Sequence, residues 1–98
     1  MSKEQFEAAA AVVKTAFKEA GKSLSNDELL ALYGWFKQAS VGDNTTEKPG
    51  MFSFEAKAKW ESWNKCKGKS QEVAQGEYIK IAKELLTKYG LDAKIQGF

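Results

Sequence analysis

No histidine occurs anywhere in the 98-residue chain. Histidine triads, imidazole metal ligands and a charge switch near neutral pH are therefore excluded. Arginine is absent as well, so all 15 basic residues are lysine. The bidentate guanidinium fork is missing, while lysine still serves phosphate as a point charge. Cys66 is the only cysteine, which rules out an internal disulfide and a thiolate cluster. A lone thiol with no imidazole to activate it fits a small packing residue better than a nucleophile. No apolar run approaches the ~18 residues of a membrane span, and the first residues do not form an apolar leader. The expectation is a cytoplasmic protein in a reducing compartment, with no stable membrane insertion; Asn44-Thr45-Thr46 is then discounted as a glycosylation site. A net charge of +2 gives little support to a dedicated nucleic-acid binder.

What remains is a chain of one domain's length with four stretches of helical periodicity. In the first, Phe6, Ala9, Ala10, Val13 and Phe17 recur at three- and four-residue steps. Ser2-Lys3-Glu4-Gln5 fits a capping box at its start and Gly21 a stop at its end. Lys14 flanks the apolar face; on this helix alone it reads as a solvated lysine. A second capping box, Ser25-Asn26-Asp27-Glu28, opens a helix to about Ser40, with Leu24 and Leu29 at staple positions. Its apolar residues, Leu29 to Ala39, cover an arc of about 220°, against the roughly 100° that a surface helix needs. Contacts on two sides follow. Lys37 falls inside that arc, where it either snorkels out or meets an anion.

Gly42 to Gly50, with the only proline at Pro49, reads as a loop. Ser53 is placed to cap a third helix ending near Cys66 or Lys67, before Gly68. Ala56, Lys59, Trp60, Trp63 and Cys66 fall on one broad face of it, with Lys59 on the aromatic side. Gly68-Lys69-Ser70 has the tail of a P-loop, but Trp63 stands at its first glycine position and excludes it. Ser70 caps the fourth helix, which carries Ala74, Tyr78, Ile81, Ala82, Leu85 and Tyr89 before Gly90. Residues 91–98 form a short tail.

Four amphipathic helices with short connections make an all-α four-helix bundle. Almost every carboxylate sits at a cap, in a loop or on a polar face, so no catalytic constellation is visible and binding is the expected class. Lys14, Lys37 and Lys59 come from three helices and each flanks an apolar face. If they converge, with Tyr33 and Tyr78 beside them, the site suits a ligand that joins a base, phosphates and an alkyl chain. Periodicity leaves that convergence open. A protein-interaction module would explain the bundle and its tryptophans but not the lysines; a weak nucleic-acid binder would explain lysines among aromatics but needs no alkyl chain.

Several segments together resemble the acyl-CoA-binding protein family, over roughly Phe6 to Gly90. They are Tyr33-x-x-Phe36-Lys37-Gln38-Ala39-Ser40-Val41-Gly42-Asp43, Glu47-Lys48-Pro49-Gly50-Met51, Lys57-Ala58-Lys59-Trp60-x-x-Trp63, Ala74-x-x-x-Tyr78 and Lys88-Tyr89-Gly90. The resemblance implies an up-down-down-up bundle over residues 1–90 and a tail over 91–98. It implies a monomer without cofactor or catalytic activity that binds, buffers and carries medium- and long-chain acyl-CoA. By position, Tyr33 matches the tyrosine that stacks on adenine. Lys14, Lys37 and Lys59 match lysines at the ribose 3′-phosphate region and the rest of the CoA head, and Tyr78 a further head-group tyrosine. Phe6, Ala10, Leu29 and Leu30 match residues lining the ligand cleft. Three departures stand out. Phe36 replaces a frequent tyrosine, keeping the ring and losing the hydroxyl. Thr45 stands where the family loop has its asparagine, which leaves that loop's internal hydrogen bonding open. The connection from Gly21 to Ser25 is a few residues longer than in compact members.

Overall fold

A computed structural model describes residues 2–95 and 98, apart from the side chain of residue 2. It contains four α-helices: α1 (Ser2–Glu19), α2 (Asn26–Ser40), α3 (Phe54–Asn64) and α4 (Gln71–Lys88). A short 3-10 turn, Asp92–Lys94, follows. The capping box expected at Ser2 falls on a side chain outside the described residues.

Side-chain contacts fix the directions. Phe6 meets Tyr78 and Phe17 meets Tyr89, so α1 and α4 run the same way. Glu28 near the start of α2 meets Lys88 at the end of α4, and Ala39 accepts from Gln71, so α2 opposes α4. Gly34 lies against Ser62 and Trp63 bonds to Gly42, so α3 runs with α2. The result is an up-down-down-up bundle.

One core lies where α1, α2 and α4 meet. Phe6, Ala9, Val13, Ala16 and Phe17 supply the α1 face, Leu32 and Ala39 that of α2, and Ala74, Tyr78, Ala82, Leu85 and Leu86 that of α4. These are the three- and four-residue steps of helical faces. Leu91, Ile95 and Phe98 pack against the same cluster. The turn that ends α4 is a Schellman motif: Leu91 N–H bonds to the Leu86 carbonyl and Gly90 N–H to that of Thr87, with Gly90 at φ +74°. Gly21, at φ +67°, closes α1 in the same way, with Lys22 N–H bonding to the Phe17 carbonyl.

The Ser25 box forms as its sequence predicts. Glu28 N–H donates to Ser25 Oγ at 3.2 Å and Ser25 N–H to Glu28 Oε1 at 2.9 Å. The same carboxylate also receives Lys88 Nζ at 2.6 Å and the Tyr89 hydroxyl at 2.6 Å. Lys88, then Tyr89, then the Ser25 amide hold the Glu28 pKa down to about 2. One capping residue thus ties the start of α2 to the end of α4.

The third helix departs from its sequence reading in three ways. Ser53 stands at the N-cap, but its side chain makes no capping bond; its N–H instead closes a turn onto the Gly50 carbonyl at 3.0 Å. The regular helix stops at Asn64, and Cys66 and Lys67 turn more tightly, through bonds to the carbonyls three residues back. Its apolar side is not a core face either. Ala56 is exposed, Trp60 half-buried, and Trp63 is the one buried residue of the helix. Among the helices, α3 packs chiefly on α2, outside the main core, and its position depends on that contact.

Candidate functional site

The α2–α3 contact is set at Gly34. A methyl group there would lie 2.5 Å from the Ser62 carbonyl oxygen, so only a missing side chain allows this approach. Tyr33, the preceding residue, lies under α3, and Lys59 Nζ sits 5.7 Å from its ring centroid. Lys59 also pairs with Glu55 at 3.4 Å, across one exposed turn. One turn after Tyr33, Lys37 Nζ sits 5.0 Å over the Trp63 ring. Each cation–π contact is worth about 0.5–1 kcal/mol at such partly exposed sites, little enough for either ammonium to be drawn to an anion instead.

Two clefts open on either side of Leu29, which is 50% exposed. The first, about 500 Å³, lies between α1 and α2, with Tyr78 of α4 in its wall. Ala10, Val13 and Phe17 form one side, and Leu29, Leu32, Tyr33 and Phe36 the other. Lys14, Lys18 and Lys22 also line it. At one end three rings meet. Phe6 lies 5.1 Å from Tyr78, edge to face, and 5.7 Å from Phe36; Phe36 and Tyr78 are 6.1 Å apart. Burial pushes the Tyr78 hydroxyl pKa up to about 12, so it stays neutral at any physiological pH. The second cleft, about 460 Å³, lies between α2 and α3 and is lined by Asn26, Leu29, Leu30, Phe54, Glu55, Ala58 and Lys59.

The expected site residues thus fall into three groups. Lys14, Ala10, Leu29, Tyr33, Phe36 and Tyr78 share the first cleft, with Phe6 packed against its rings. Leu30 and Lys59 line the second, joined to the first through Tyr33 and Leu29. Lys37 lines neither; its ammonium rests on Trp63. Lys18, Lys22, Ser23, Leu24, Phe54 and Ala58 line the clefts without having been expected at the site. Lys18 follows Lys14 by one turn, a signal the sequence did carry. Lys22 to Leu24 lie in the irregular connection, where no periodicity points inward.

The loop after α2 is held by side chains, and here the question that Thr45 left open is answered. The buried Asn44 does the work: its Oδ1 accepts Thr46 N–H at 2.9 Å and the Thr46 hydroxyl at 2.6 Å, and its Nδ2 donates to the Trp60 carbonyl at 3.4 Å. Thr45 is exposed, so its identity leaves these bonds intact. Trp60 Nε1 donates to the Thr46 carbonyl at 3.0 Å, and Trp63 Nε1 to that of Gly42 at 2.8 Å. Asp43 accepts from Gly68 N–H and from the buried Gln38 amide, both at 2.9 Å, and these bonds lower its pKa. The tryptophans therefore fasten loop to helix and build the ledge on which Lys37 rests.

None of this assembles a reactive centre. Among the described residues, no group of three or more His, Cys, Asp or Glu could hold a metal ion. Burial raises the pKa of the Cys66 thiol and keeps it protonated. Among the described residues, no helix is long and apolar enough to cross a membrane. What the geometry offers is lysines and tyrosines bordering two apolar clefts.

The family model described as "Acyl CoA binding protein" matches residues 3–82. The chain belongs to the acyl-CoA-binding protein family. It is 56% identical over 89 residues to the Acyl-CoA-binding protein homolog of Drosophila melanogaster, covering 91% of this chain and 99% of that protein. It is 53% identical over 85 residues to the Acyl-CoA-binding protein homolog 1 of Caenorhabditis elegans, covering 87% and 94%. The crystal structure of the ACBP of Moniliophthora perniciosa superposes with a TM-score of 0.85 at 37% identity, over 96% of this chain and 89% of that one. The Acyl-CoA-Binding Protein 2 of Oryza sativa superposes with a TM-score of 0.82 at 38% identity, over 91% and 92%. The bundle is that of the family, whose proteins are non-catalytic binders.

Proposed function

We infer that this protein binds fatty acyl-CoA thioesters, one per monomer, and buffers and carries them in the cytoplasm without catalysing a reaction. The observation that carries this is Tyr33, held under Lys59 at the junction of two apolar clefts. One residue is thereby in reach of an aromatic base, a phosphate and an alkyl chain.

In this reading Tyr33 stacks on the adenine, and Lys59 and Lys14 take the ribose 3′-phosphate and neighbouring phosphates from α3 and α1. Lys37 joins them by leaving the Trp63 face, a rotamer change on the same side of α2 as Tyr33. Tyr78, neutral throughout, offers a hydroxyl to the head group. Phe6, Ala10, Leu29, Leu30 and Phe36 border the acyl chain. Each buried CH₂ contributes about 0.8 kcal/mol, so about a dozen carbons outweigh a single charge-assisted phosphate contact of about 1.5–3 kcal/mol. Medium and long chains are favoured for that reason.

The test is a titration of Tyr33→Ala, Lys59→Ala and Lys37→Ala with a soluble long-chain acyl-CoA. Loss of one charged contact predicts about a tenfold weakening or more for each lysine, with the helical circular dichroism unchanged. Natural affinity in all three variants would refute the site.

A further inference from the structure

Among the described residues, the most exposed large apolar side chains lie together in one short segment away from the core. Gly50 to Ser53 form a turn, closed by Ser53 N–H on the Gly50 carbonyl, with Met51 and Phe52 at its two central positions. Met51 is 69% exposed, Phe52 87% and Phe54, just after the turn, 75%. Three large apolar side chains within four residues form a projecting tip, not a groove. A tip needs a medium that yields around it, and aromatic residues are suited to the boundary between water and lipid.

The segment that bears the tip is net positive, with Glu55 directly after Phe54. Residues 48–69 carry six lysines and two glutamates, a net charge of +4, against +2 for the whole chain. Lys48, Lys65, Lys67 and Lys69 are exposed. The segment that bears the tip is therefore the cationic part of the molecule, complementary to a surface of anionic headgroups. The tip also adjoins the second cleft, whose lining includes Phe54.

We propose that the Met51–Phe54 tip docks this protein reversibly on anionic phospholipid bilayers, with Met51 and Phe52 entering the interface and the exposed lysines of residues 48–69 drawing the segment to the headgroups. Docked in this way, the second cleft opens at the lipid surface, where an alkyl chain can pass between bilayer and protein.

The experiment is co-sedimentation of the full chain with vesicles of phosphatidylcholine and phosphatidylserine, without acyl-CoA, beside a Met51→Ser/Phe52→Ser variant. Neither residue lines a cleft, so the variant's affinity for soluble acyl-CoA and its thermal midpoint are expected to be unchanged. Partition of the natural chain is expected to exceed that of the variant by about tenfold or more, and to fall at high salt. Equal partition of the two proteins overturns the proposal, as does no sedimentation of the natural chain. Self-association of the natural chain that the variant lacks also overturns it, since the tip would then be a contact between copies. Because the vesicles carry no acyl-CoA, failure here is separate from failure of the ligand reading.

Discussion

Gly34 and Gly76 both occupy helix interiors, and replacing each with alanine should move stability in opposite directions. Alanine is favoured over glycine in a helix by about 1 kcal/mol. Gly76 lies in α4 with nothing within 4 Å of the added methyl group. Gly76→Ala should therefore gain about 0.5–1 kcal/mol. At Gly34 the methyl group would sit 2.5 Å from the Ser62 carbonyl oxygen and 2.9 Å from its carbon, where ordinary contact begins at 3.4 Å. Both sides of that contact are backbone, so α3 must move away from α2. Overpacking of this kind costs about 1–3 kcal/mol, and the rigidity of two backbones puts it near the upper end. After the propensity gain, Gly34→Ala should lose about 1–2 kcal/mol. With about 4–8 °C per kcal/mol for a domain of this size, thermal denaturation followed by circular dichroism separates the two. Gly34→Ala should fall by roughly 5–15 °C and Gly76→Ala rise by a few degrees. Acyl-CoA titration adds a second reading. Moving α3 carries Lys59 away from Tyr33, so Gly34→Ala should bind more weakly, while Gly76→Ala binds normally. A Gly34→Ala protein as stable as Gly76→Ala would refute the close approach and the account of how α3 is positioned.

Three further predictions follow from the hydrogen-bonded contacts. The Glu28 pKa is about 2 in the fold against an ordinary 4.5, so its stabilising contribution is full above pH ~4.5 and is lost as pH falls toward 2; Glu28→Gln should flatten the acid limb of a stability–pH curve in that window, and an unaltered limb would count against the tie to Lys88 and Tyr89. Trp63→Phe keeps the ring but leaves the Gly42 carbonyl without its donor, which should cost about 1–2 kcal/mol in urea unfolding and speed amide exchange across residues 42–50. Cys66, 6% exposed and with a raised pKa, should react with a thiol reagent only as the protein unfolds, a rate that denaturant titration reads directly.

The sequence was most legible where a local signal and a tertiary role coincide. Ser25 and Glu28 announce the start of α2 because the box is made of neighbours in the chain. That Glu28 also receives Lys88 and Tyr89, some 60 residues on, has no local trace. Faces of α1 and α4 were readable because each packs on one core, which imposes a single period, while the wide arc of α2 matches its contacts with α4 on one side and α3 on the other. The third helix was not readable, because it packs chiefly on α2, outside the core, and its tryptophans direct their N–H groups to loop carbonyls. Periodicity left open whether the lysines converge. Lys59 reaches Tyr33 only because Gly34 lets α3 approach, and along the chain Gly34 looks no different from Gly76. The row Lys14, Lys18 and Lys22 was visible only in part, since Lys22 lies beyond the helix stop. Thr45 shows the converse: a change at a motif position drew attention, while the buried neighbour Asn44 carries the loop's bonds.

The central claim is that one site engages both ends of its ligand, the lysines and tyrosines the head and the apolar clefts the chain. Titration calorimetry with palmitoyl-CoA, CoA and palmitate, run side by side on the natural protein, tests it most directly. The account predicts tight one-to-one binding of the thioester and binding of each fragment weaker by orders of magnitude, because neither fragment recovers both sets of contacts. Binding of CoA as tight as that of palmitoyl-CoA would contradict the role of the clefts, and no binding of the thioester would contradict the account as a whole.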